Sequence, residues 1–134
     1  MILFPNPNND EWIIKYNDRV ESIKLGKVCF PENAWIGKHH IIPKSIAPEL
    51  EKVEDNIVEL PFAEHMDLHY FLWKADPSYA SQLWFGCVYG RKHKLWDLPG
   101  GEEEYIQLKK DLSLSRKKKK IAAFNVQPSN ETTN

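Results

Sequence analysis

The sequence predicts an α+β fold: a two-stranded antiparallel hairpin and a helix in the middle of the chain, flanked by additional α-helices. Three observations lead there. Residues 38–42 (KHHII) and 56–60 (NIVEL) are short runs of strand character, each followed by a proline. The stretch 62–74, FAEHMDLHYFLWK, follows the second run with helical composition and no breaker. Helical patterns over 11–25, 77–90 and 102–114 supply the flanks.

The elements follow in order. Residues 1–10, rich in Asn and Pro, form an irregular lead-in. Asp10 is placed to cap a helix over 11–25, in which Ile13, Tyr16, Val20 and Ile23 share one face and Gly26 is the stop. Pro31, Asn33 and Gly37 make 27–37 a loop with a short extended piece. The first strand runs over 38–42 and ends at Pro43. A polar connection over 44–55 has one helical possibility at 48–53, and the second strand covers 56–60. Pro61 suits the first position of the next helix. Asp76-Pro77 breaks the chain and opens a helix to residue 90, with Leu83, Trp84, Cys87 and Val88 on its apolar face. Pro99-Gly100-Gly101 is a turn. The last helix, 102–114, carries Glu102 to Glu104 at its positive end and Lys109-Lys110 near its negative end. Residues 115–134 are basic, then polar, and read as a disordered tail.

Composition narrows the function. Apolar residues make up 42% of the 134-residue chain, enough for the core of one domain. No apolar run approaches the length of a membrane span, and MILFPNPNNDEW lacks the basic and apolar regions of a signal peptide. A cytoplasmic protein is expected. The two cysteines, Cys29 and Cys87, form no metal or disulfide pattern and are expected to be buried thiols. Net charge is −1, but 91–120 holds ten Lys and Arg against five Asp and Glu. That asymmetry hints at nucleic-acid contact through the C-terminal part.

The histidines are the informative residues. Four of the five lie between positions 39 and 69. His65 and His69 stand at i and i+4 on the predicted helix, so both imidazoles leave one face, an arrangement that divalent metals favour. A pair of surface histidines is the plain alternative. A zinc-protease reading fails because Met66 occupies the position of the glutamate base. The adjacent pair His39-His40 lies on the first strand, where neighbours point to opposite faces. One can join the helix pair as a third ligand; the other can face a substrate as a base. An imidazole that ionises near neutral pH suits that task. Three protein ligands leave open positions, the pattern of a catalytic metal site. Asn56 can brace the connection between the strands by side-chain to backbone hydrogen bonds.

The stretches HHIIPKS, DNIVEL and AEHMDLH together resemble the HNH (ββα-metal, or His-Me finger) endonucleases, especially the small phage-type members. Colicin-type DNases share the histidine layout. The likeness is close over 39–73 and looser to about 112. It implies one nuclease domain over 1–114 with a ββα core at about 38–74. It further implies that His39, His65 and His69 hold one divalent cation (Mg, Mn, Ni or Zn). His40 would be the general base, and Asn56 would orient it. The substrate would be DNA, cut to a 5′-phosphate and a 3′-hydroxyl, and the setting a phage or its bacterial host. Two positions depart from the pattern. Ile46-Ala47-Pro48 replaces a usual Gly-Gly, and Ala63 stands where an Arg is common. Phosphate contacts would then fall to Lys38, Lys44, Arg91, Lys92 and Lys94, each otherwise a solvated surface charge. The run Arg116 to Lys120 is either a DNA-gripping arm or a solvating tail. Trp35 is a core residue or a base-stacking one; Trp73, Trp84 and Trp96 read as core. The competing class is a ββα binding module for DNA or protein whose metal is structural. A secreted nuclease toxin fits less well, for want of translocation or receptor segments.

Overall fold

The computed structural model describes residues 1–34, 36–90 and 101–114, with the backbone alone over 86–90. The chain divides into two compact units, 1–75 and 76–134. The fold is α+β, with one two-stranded antiparallel hairpin and four α-helices among the described residues.

In the first unit, helix α1 (Glu11–Lys24) starts at Asp10, whose side chain accepts from the backbone N–H of Trp12 and Ile13. It ends at Leu25, with Gly26 at φ 71°, the left-handed conformation that glycine adopts without strain. Ile13, Tyr16 and Val20 are buried as the periodicity requires, and Ile23 is half-buried. The lead-in is tied to α1 through Asn17, which exchanges two 2.8 Å hydrogen bonds with the Phe4 backbone.

Strand β1 (Ile36–His40) pairs with β2 (Ile57–Pro61) in antiparallel register, His39 opposite Val58 and His40 opposite Ile57. The first strand thus begins and ends two residues earlier than expected. Ile41 and Ile42 are buried but leave the ladder: Ile41 N–H bonds the backbone carbonyl of Asn56, and the Asn56 side chain takes both backbone groups of Ile42. Pro61 closes β2 opposite Ile36 and does not open the helix; as the last strand residue it needs no donor. The connection contains two single 3-10 turns, Pro48–Leu50 and Glu54–Asn56, where one helical segment was expected. The Ile46-Ala47-Pro48 departure falls at the first of them: Ile46 is exposed, Ala47 is buried, and Pro48 opens the turn.

Helix α2 (Phe62–Ala75) follows β2 without a loop. Met66, Leu68, Tyr70, Leu72 and Trp73 are buried. Against α1 it makes edge-on contact between Trp12 and Tyr70 and an ion pair from Arg19 to Asp67 at 2.9 Å.

In the second unit, a 3-10 turn at Pro77–Tyr79, capped by Asp76, leads into α3 (Ala80–Gly90). Helix α4 (102–114) follows Gly101. Leu83, Leu108 and Leu112 are buried, and Trp84 stacks on Tyr105 at 5.7 Å between ring centres.

Cys29 is exposed, which corrects the expectation of a buried thiol: it sits in the irregular stretch after α1, away from any core face. Trp35, Trp96, the Pro99-Gly100 part of the turn, the side chains of Cys87 and Val88, and the tail from 115 lie outside the described residues. Among the described residues no helix is long and apolar enough to cross a membrane.

Candidate metal centre

Two elements build the site. Strand alternation turns His39 inward to 2% exposure and leaves its neighbour His40 half-exposed. Helix periodicity sets His65 and His69 one turn apart on α2, and the short β2 to α2 junction brings that face onto β1. The His39 ring lies 4.9 Å from that of His65 and 5.0 Å from that of His69. One ring nitrogen from each residue falls within 4.8 Å of the other two. The His65 and His69 Nε2 atoms are 3.0 Å apart. Two nitrogens bound to one cation at roughly 2.0–2.1 Å each stand about this far apart.

The electrostatics favour neutral rings. Loss of water around His39 pushes its pKa well below the ordinary histidine range, and the neighbouring His69, His65 and His40 push it further. His69 is pushed down to about 3, first by burial and then by His65. Burial lowers His65 as well. His69 Nδ1 is buried with no hydrogen-bond partner. Neutral imidazole is the metal-binding form, and three such rings with nitrogens converging fit a divalent cation.

His40 lies outside this cluster. Its Nε2 sits 2.9 Å from the Glu51 carbonyl oxygen. A carbonyl only accepts, so Nε2 carries a proton, and in the neutral ring Nδ1 is the nitrogen with the lone pair. Asn56 is fully buried at the foot of β2. Its Oδ1 accepts from Ile42 N–H at 2.9 Å, and its Nδ2 donates to the carbonyls of Ile42 at 3.1 Å and Leu50 at 3.2 Å. The Asn56 backbone carbonyl accepts from Ile41 N–H at 2.8 Å. These bonds fix the chain leaving β1 and the turn that presents Glu51 to His40.

The structure therefore brings together His39, His65 and His69, and holds His40 and Asn56 beside them in separate bonds. Lys38 is exposed on β1 opposite Glu59. Lys44 is exposed and 3.7 Å from the Glu51 carboxylate, close to the residue that anchors His40. Arg91, Lys92 and Lys94 lie outside the described residues. Sequence reasoning missed two participants. Tyr16, which read as core on α1, hydrogen-bonds His39. Glu51 acts through its backbone carbonyl, which no side-chain pattern reveals.

Compared with protein-family models, curated proteins and solved structures, the chain gives no significant match.

Proposed function

We propose that this chain is a metal-dependent endonuclease of the ββα-metal (HNH) type that hydrolyses DNA phosphodiester bonds. The observation that carries the reading is the contrast between two adjacent histidines. His39 joins a three-imidazole cluster, while His40 is held out of it with a lone pair on Nδ1.

His39, His65 and His69 would hold one divalent cation, which would supply positive charge to stabilise the phosphodiester as it is cleaved. Imidazole ligands favour Zn or Ni, and the resemblance adds Mg and Mn. His40 takes a proton from the attacking water at Nδ1. The Glu51 carbonyl keeps that nitrogen oriented by accepting from Nε2, and the bond strengthens as the ring gains charge. Asn56 holds the turn that carries Glu51. Lys44 contributes positive charge near this anchor, and Lys38 stands on the same strand.

A binding module with a structural metal is the second reading. A closed four-ligand site would draw His40 inward, and its bond to Glu51 speaks against that. Plasmid cleavage by wild type and His40→Ala, each with EDTA, Mg, Mn, Ni or Zn, separates the two. The nuclease reading expects metal-dependent cutting by wild type, with a loss of about 100-fold or more in His40→Ala and zinc affinity unchanged. A structural four-ligand site expects zinc affinity and thermal stability to fall together in that variant.

A further inference from the structure

Tyr16 has no part in the chemistry proposed for His40 and the cation. It lies on α1, outside the hairpin and α2, and is fully buried. Its Oη is 2.7 Å from His39 Nε2 and 2.7 Å from the Ile41 carbonyl oxygen. The hydroxyl has one proton, and of these two neighbours the carbonyl can only accept. The proton therefore goes to Ile41, and the hydroxyl lone pair faces His39. Nε2 of His39 must then be the protonated nitrogen, donating to Tyr16. In a neutral ring that leaves Nδ1 as the nitrogen with a lone pair.

We propose that Tyr16 is a positioning residue for the metal centre: it holds His39 as the Nε2–H tautomer and so commits this ring to bind a divalent cation through Nδ1. The inference rests on the metal-site reading and adds the ligating atom and the residue that selects it. Binding through Nε2 would displace the Tyr16 hydroxyl from His39. Donation to a hydroxyl also makes Nδ1 a better ligand and fixes the ring plane, as partners of metal-bound histidines generally do. The rest of α1 keeps Tyr16 in place. Phe4 packs edge-on against its ring at 5.8 Å, and Asn17 ties Phe4 to the helix. Helix α1 is thus part of the site, although no charged or histidine residue of it reaches the cluster.

Zinc titration of ¹⁵N-labelled protein, followed by long-range ¹H–¹⁵N correlation of the histidine rings, reads the ligating nitrogen without any activity assay. The expected result is zinc on Nδ1 of His39 with a proton on Nε2. Tyr16→Phe should then bind zinc roughly 10–100-fold more weakly in competition with a chelating dye, while its metal-free circular dichroism matches wild type. Zinc on Nε2 of His39, or unchanged affinity in Tyr16→Phe, overturns the inference and leaves the metal site standing. A wild type whose histidine signals ignore zinc overturns the metal-site reading and this inference with it. Should Tyr16→Phe fail to fold, the wild-type spectrum decides alone.

Discussion

His39 and His40 are identical side chains in adjacent positions, and the strand gives them different surroundings. His39 shares buried space with two other imidazoles; His40 is half-exposed and bonded to a carbonyl. The cluster has a pH signature in the metal-free protein. The folded-state pKa of His69 is about 3 against an ordinary value of 6.5, and His39 and His65 are lowered in the same sense. Between those limits the unfolded chain binds protons that the folded chain refuses. Stability is then complete above pH 6.5 and drains away as pH falls toward the folded values. A tenfold difference in proton affinity between the folded and unfolded chain is worth about 1.4 kcal/mol, so the loss by pH 5 should exceed roughly 1 kcal/mol. Urea unfolding of chelator-treated protein at pH 7.5 and pH 5.0 checks this; an equal or higher midpoint at pH 5.0 would contradict it. That His65 and His69 meet one member of the His39-His40 pair was legible from two fixed periodicities, alternation in a strand and i, i+4 in a helix; that the member is His39 came from the resemblance to the HNH endonucleases. Tyr16 was not legible, because an aromatic on the apolar face of a helix looks the same whether or not its hydroxyl has a task.

At the scale of elements, the hairpin depends on one side chain. Asn56 makes three hydrogen bonds across the connection and replaces the ladder where β1 ends. Asn56→Ala would strand the Ile42 N–H and leave the Ile42 and Leu50 carbonyls without this partner, at a cost of about 2–4 kcal/mol. Asn56→Asp keeps the acceptor for Ile42 N–H but sets a carboxylate against two carbonyls. It should be at least as damaging, although it is nearly isosteric. Chemical denaturation of both variants tests this. An aspartate variant as stable as wild type would show that the two donated bonds contribute little. This arrangement also explains where reading the sequence succeeded and failed. Three helices were legible to within a residue, with Asp10, Gly26 and Gly101 marking ends, but the one expected from residue 77 begins at Ala80, because Asp76-Pro77 opens a 3-10 turn first. The strand was displaced by two residues, because Ile41 and Ile42 have strand composition and burial but give their backbone bonds to Asn56. Pro61 misled in a similar way: a proline suits a helix start and a strand end equally well.

For the whole molecule, chemistry and charge occupy different stretches of the sequence. Every residue of the candidate centre, with Tyr16 and Glu51, lies within the unit 1–75. The excess positive charge lies in 91–120, where five of the ten Lys and Arg form the run Arg116 to Lys120. If the chain acts on DNA, affinity and catalysis should be separable by deletion. A protein ending at Leu114 retains every described residue and loses these five basic side chains. Each phosphate contact that they make adds about 0.9 to the slope of log affinity against log salt. Binding of a non-cleaved duplex, measured between 50 and 200 mM salt with EDTA present, should therefore give a shallower slope after deletion, by up to about 4.5 if all five engage. The cleavage rate at saturating DNA should stay the same, because no group at the centre has been touched. An unchanged slope would make the run a solvating tail and pass the DNA contacts back to Lys38, Lys44 and the basic residues after α3. A shallower slope with an equal loss of saturated rate would mean that the run also positions the scissile phosphate.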